Sequence, residues 1–205
     1  MEQRYIPMRE METREIDGVP VIEGYFAVFG EEYELFPGAT ESIERGAFSD
    51  CINQDVRALY NHDTNIVLAR CSAGTMSIKE DDRGLWGHIE LDPEDTDAMN
   101  VYRRVKRRSI QGNSFGFSIE EEVRSEREDG SVHWTITKVN PLYEISPCTF
   151  PAYEGTSISA RRKEFEEVTE EMRGRRLSVW KEKMKEKMKE RLHNGTKGAA
   201  AEKAD

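Results

Sequence analysis

The chain has 205 residues, 34% of them charged and 37% hydrophobic, with a formal net charge of -10 at pH 7. That length allows one globular core of roughly 150 residues plus an appendage, and the negative balance argues against a surface built throughout to hold nucleic acid, which needs a concentrated positive field. Cys51, Cys71 and Cys148 share no short repeated spacing, so they suit reduced thiols in a cytoplasm better than a disulfide framework or a zinc site, and no apolar run reaches the ~18 to 20 residues of a membrane span.

Arg4 to Met8 and Val19 to Phe29 alternate as strands do, and Asp17-Gly18 predicts a hairpin between them, Gly18 supplying positive φ at little cost. Leu35-Phe36-Pro37-Gly38 reads as a loop, and Glu44 to Ile52 as a short helix with Phe48 and Ile52 on one side. Val56 to Tyr60 returns to strand character and runs into Asn61-His62-Asp63. A second hairpin is expected from Thr75 to Leu91, turning at Asp82-Arg83-Gly84.

The period then becomes helical over Pro93 to Arg107, with Asp92 as cap, Pro93 at the first position and Met99, Tyr102 and Val105 recurring every three residues. Three strands follow: Ser114 to Val123, Val132 to Val139 across a Glu128-Asp129-Gly130-Ser131 turn, and Leu142 to Phe150. About seven strands and one or two helices, mostly in hairpin order, predict an α+β fold that is mainly β, a closed or nearly closed antiparallel barrel, since closure removes exposed edges.

From Arg162 to His193, Leu177, Trp180, Met184, Met188 and Leu192 are spaced by three or four residues, which predicts a long charged helix ended by Asn194-Gly195. Arg173 to Leu192 holds nine Lys/Arg against three Glu, a local excess of +6 that leaves the remainder at -16. The expected organisation is a barrel over 1–160, an amphipathic helix over 161–194 and a disordered polar tail over 195–205.

Two segments could carry chemistry. His62 follows an apolar strand, and a neutral imidazole there can accept a hydroxyl proton near neutral pH. Ser114, in Gln111-Gly112-Asn113-Ser114-Phe115-Gly116-Phe117, sits among small residues that let a substrate backbone approach, with flanking phenylalanines to anchor its strand. Taken alone, His62 reads rather as an ordinary strand-end histidine and Ser114 as a plain loop-to-strand junction, with Ser109 and Ser118 as nearby competitors. A serine needs a base, and the base a third group to orient it; Glu144 and His133 both lie on strands after Ser114. Cys148 reads as a buried strand cysteine rather than a nucleophile.

Gly24-Tyr25-Phe26-Ala27-Val28-Phe29, Glu44-Arg45-Gly46-Ala47-Phe48, Asn61-His62-Asp63 with Leu68-Ala69-Arg70, Ser114-Phe115-Gly116-Phe117, and Leu142-Tyr143-Glu144-Ile145-Ser146 with Phe150-Pro151-Ala152-Tyr153 occur in that order. Together they resemble the prohead protease family of tailed bacteriophages, related in fold to the herpesvirus assemblins, over roughly residues 15 to 160. The resemblance implies a herpesvirus-protease-like fold and a serine endopeptidase that removes the scaffolding segment of the major capsid protein, and cleaves itself, during procapsid maturation in the host cytoplasm. It puts the family's histidine on His62 and its serine on Ser114. The family pattern points to Glu144 as the third member, while the herpesvirus relatives use a second histidine, which keeps His133 open. No cofactor or metal is implied; the partners are the major capsid protein with its scaffolding segment and, by analogy with the herpesvirus relatives, a second copy of the chain. Self-cleavage is expected in a flexible connection between Ala160 and Arg176 or beyond Gly195. The chain departs from the family pattern at Ala69, where Gly is frequent, and at Tyr153, where Asn is frequent. A rival reading is a non-catalytic scaffolding or capsid-binding protein acting through its C-terminal helix.

Overall fold

The structure is a computed structural model that describes residues 2–7, 11–149 and 156–201. The chain divides into two units, Met1–Ile158 and Ser159–Asp205. In the first unit, alternation of β-branched and aromatic residues with polar ones builds strands: β1 (Glu2–Pro7), β2 (Glu12–Ile16), β3 (Val19–Val28), β4 (Tyr33–Phe36), β5 (Ala39–Ile43), β6 (Arg57–Tyr60), β7 (Asp63–Arg70), β8 (Met76–Glu80), β9 (Gly84–Glu90), β10 (Gly112–Glu126) and β11 (Val132–Cys148), with helix α1 (Thr96–Lys106) before β10.

Seven strands form one sheet in the order β1-β10-β11-β5-β4, with β6 paired to the far end of β11 and β7 to β6; β2-β3-β9-β8 form a second. Every pairing is antiparallel except those of β11 with β5 and with β6. The fold is α+β and mainly β, as expected. Its strands number eleven rather than about seven among the described residues, and they lie in two sheets whose end strands do not join into a closed ladder.

The core lies between the two sheets. Ile22, Phe26, Leu85 and Ile89 of the smaller sheet meet Phe115, Phe117, Ile136 and Ile145 of the larger, and α1 adds Ala98, Val101, Tyr102 and Val105. Each fully buried Phe or Ile contributes about 1.5–3 kcal/mol. Gly87 sets the spacing: a Cβ there would stand 2.7 Å from Ile145 Cδ1 and 2.9 Å from a Phe26 ring carbon.

Several local expectations are corrected. The first hairpin does turn at Asp17-Gly18, with φ of 50° and 83°, but β2 is the partner of β3; β1 instead pairs with β10, Tyr5 facing Ser114. Pro37-Gly38 is a tight connection between two short strands, β4 and β5, rather than part of a loop. Glu44 to Ile52 is a succession of turns, closed by bonds such as Ala47 N to Glu44 O and Cys51 N to Phe48 O, because Gly46 at φ 92° interrupts helical geometry. Helix α1 starts three residues later than its sequence suggests, capped by the Asp95 side chain, which accepts from the backbone N–H groups of Asp97 and Ala98. The two strands expected on either side of Asn140-Pro141 are one continuous β11.

The second unit is helix α2, which runs Thr156–Ala201. It continues past Asn194-Gly195, and the stretch from Ala160 to Arg176, expected as a flexible connection, is helical. Pairs such as Lys185 with Glu182 at 2.9 Å support its charged surface, on which Leu177, Trp180, Met184 and Met188 are exposed. No described helix is long and apolar enough to cross a membrane. Residues 150–155, within the last family-like motif, and 202–205 lie outside the described residues.

Gly87→Val tests the sheet spacing. Overpacking at this contact should cost about 2 kcal/mol and lower Tm by roughly 4–8 °C; an unchanged melting curve would contradict the close approach of the sheets at Gly87.

Candidate active site

Strand β10 presents two different faces. Asn113 Nδ2 donates to Tyr25 O of β3 at 2.9 Å, and the Phe115 and Phe117 rings stack 4.7 Å apart in the core. Successive side chains alternate, so Ser114 and Gly116 lie on the opposite face. Residues paired across adjacent strands share a face; the partners of Ser114 and Gly116 on β11 are Ser146 and Glu144. Gly116 adds no side chain to that face, opposite Glu144.

His62 reaches that carboxylate from the turn between β6 and β7. Tyr60 pairs with Asp63, which leaves Asn61 and His62 as a two-residue turn with φ of 52° and 62°. Asn and His enter this left-handed region more readily than most residues, still at a cost of order 1–3 kcal/mol, so the surroundings must hold them there. They do so through β11: Asn61 N donates to Pro147 O at 3.1 Å, Thr149 N donates to Asn61 Oδ1 at 2.8 Å, and β6 lies parallel to β11 with Arg57 opposite Glu144. At the base of the hairpin, Arg70 Nε donates to Asp55 Oδ1 at 3.0 Å and Ser72 N donates to the same oxygen at 3.2 Å. These groups, Arg70 first, hold the Asp55 carboxyl well below the usual carboxylate range. The Arg70 of the family-like Leu68-Ala69-Arg70 segment thus anchors the hairpin that carries His62.

At the centre, His62 Nδ1 stands 2.7 Å from Glu144 Oε1, with the two side chains 11% and 3% exposed. Ser146 Oγ donates to the other carboxylate oxygen, Oε2, at 2.5 Å. An ionised Glu144 can only accept, so Nδ1 carries the proton and Nε2 is left with its lone pair. Nε2 is 3.7 Å from Cys148 Sγ, and that thiol donates to Ser146 O at 3.4 Å. Burial, reinforced by the charge of Glu144, pushes the Cys148 thiol up to about 12, so it stays protonated near neutral pH and makes a poor nucleophile. Ser114 is fully buried and is the register partner of Ser146 on β11.

Of the two third-member candidates, the structure brings Glu144 to His62 and keeps His133 elsewhere. His133 sits 2.7 Å from Thr40 Oγ1 and 2.9 Å from Ser42 Oγ of β5. Its place near the start of β11 is roughly 36 Å of extended strand from Glu144. At the basic end of α1, Arg104 lies over the Tyr60 ring, next to the turn that carries His62, while Lys106 and Arg108 line a cavity of about 490 Å³ with Glu12 and Gln111. Sequence reasoning missed the parts played by Ser146 and Asn61. The signal for Ser146 was its spacing of two from Glu144 on a strand, which puts both on one face; for Asn61 it was an Asn at the first position of a two-residue turn.

A mainly β scaffold that fixes a histidine against a buried carboxylate, on the face bearing a buried serine, has the elements of an acyl-transfer centre. The chain belongs to the Caudovirus prohead serine protease family, which matches it over residues 8–171. It is similar to the prohead protease of Enterobacteria phage HK97, with 27% identity over 146 residues, 69% of this chain and 60% of that protein. The chain therefore spans about 60% of the length of that curated relative. Among solved structures it is similar to the bacteriophage T4 capsid assembly protease, at a TM-score of 0.41 and 12% identity, over 74% of this chain and 100% of that one. The family expected from the five motifs is the one to which the chain belongs.

The Asp55 anchor predicts a pH dependence. Its folded-state pKa is depressed, so its contribution is present above the unfolded carboxylate value of about 3.9 and is lost as pH falls through the folded value. Asp55→Asn should lower Tm by no more than about 4 °C at pH 7, since surface pairs are weak, and the difference from wild type should shrink below about pH 4. Thermal melts across pH check this; a difference that grows on acidification would contradict it.

Proposed function

We propose that this chain is a serine endopeptidase of capsid maturation, with Ser114 as nucleophile, His62 as general base and Glu144 as the group that orients and stabilises the base. The observation that carries this reading is the 2.7 Å contact between His62 Nδ1 and Glu144 Oε1 on the sheet face that bears Ser114. His62 Nε2 takes the Ser114 hydroxyl proton as Oγ attacks a peptide carbonyl carbon. Glu144 stabilises the imidazolium that forms, and backbone N–H groups stabilise the oxyanion. The imidazolium then gives its proton to the departing amine, and water, activated by the same Nε2, hydrolyses the acyl-enzyme.

The substrate in this reading is the scaffolding segment of the major capsid protein, met inside the assembling procapsid in the host cytoplasm. The chain itself is a second substrate and acts as a homodimer. Where self-cleavage falls within α2, that stretch of helix has to open first, because a protease takes its substrate extended. Family membership and the name of the HK97 relative support this assignment.

Co-expression with the capsid protein, read by intact mass, tests it. Ser114→Ala and His62→Ala should each cut processing by at least about 1,000-fold and leave the capsid protein at full mass. The same fragments from Ser114→Ala as from wild type would overturn the assignment and favour a scaffolding role.

A further inference from the structure

We propose that Ser146 is a positioning residue of this centre, holding the Glu144 carboxylate turned toward His62; the inference rests on the reading of Ser114, His62 and Glu144 above. Glu144 is 2% exposed, so both of its oxygens need partners inside the protein. His62 serves Oε1, and Ser146 Oγ serves Oε2. A carboxylate has no hydrogen to give, so the Ser146 hydroxyl is the donor of this bond.

The same bond sets orientation. A terminal carboxylate torsion is broad and roughly two-fold, and pinning one oxygen selects the rotation that aims the other at Nδ1. Ser146 is itself fully buried and is the register partner of Ser114. The rotation of the acid is thereby tied to the strand pair that carries the nucleophile. Ser146 is not a rival nucleophile in this arrangement, because its hydroxyl is committed to Glu144 rather than to Nε2 of the base.

In Ser146→Ala, Oε2 loses the donor that fixes the carboxylate's rotation, so Oε1 is no longer held against Nδ1–H. Reaction with a fluorophosphonate probe, followed by mass, reads this on the full chain. The variant should react at Ser114 about 10 to 100 times more slowly at pH 7. Ser146→Thr, which keeps the hydroxyl, should recover most of the rate, and thermal melts establish that both variants are folded. The low-field proton resonance of His62 Nδ1–H should be present in wild type and shifted or lost in Ser146→Ala. An unchanged rate and resonance in folded Ser146→Ala would overturn the role of Ser146 and leave the catalytic reading standing. Failure of wild type to react at Ser114 would count against the catalytic reading instead, and the resonance would then decide alone whether Ser146 orients the pair.

Discussion

A carboxylate can be buried only where its oxygens are satisfied, and the rest of this site is arranged around meeting that condition for Glu144. One oxygen meets His62 Nδ1 and the other meets Ser146 Oγ. The first contact requires a histidine held in the left-handed region at a two-residue turn, which the chain sustains by binding Asn61 to Pro147 and Thr149 and by laying β6 parallel to β11. Local strain at His62 is thus offset by hydrogen bonds to the strand that carries its partner.

The rigidity behind the site comes from the opposite face of the same strands. Phe115, Phe117 and Ile145 sit between the two sheets, and Gly87 allows β9 to come close to β11. A polar constellation built on strands whose other face is locked in a close-packed core keeps its geometry better than one built on loops. The alternation Ser114-Phe115-Gly116-Phe117 encodes both faces: a hydroxyl and a position without a side chain on one side, two stacked rings on the other.

Much of this was legible because periodicity and turn chemistry are local. The β8–β9 hairpin, the Asp17-Gly18 turn and the strand after Ser114 follow from alternation and from residues that accept positive φ. What escaped depends on pairing between distant segments. Nothing near Glu2–Pro7 announces that its partner is β10 rather than β3. A proline at position 141 argued for two strands where tertiary pairing sustains one. The choice between Glu144 and His133 was open because both lay on expected strands after Ser114 and the two resembled groups differ there; the docking of β6 beside Glu144, at the opposite end of β11 from His133, depends on pairing that no local pattern shows. The strongly turn-forming Pro37-Gly38 concealed two strands too short to show a period of their own.

The central claim is that His62, fixed by Glu144, activates Ser114. Its most direct test is to react the full chain with a fluorophosphonate and locate the adduct by peptide mass mapping, beside His62→Ala and Glu144→Gln. The account predicts a single phosphonyl group on Ser114 in wild type, none in His62→Ala and a strongly slowed reaction in Glu144→Gln. An adduct on another serine, or equal modification of Ser114 in all three proteins, would contradict it.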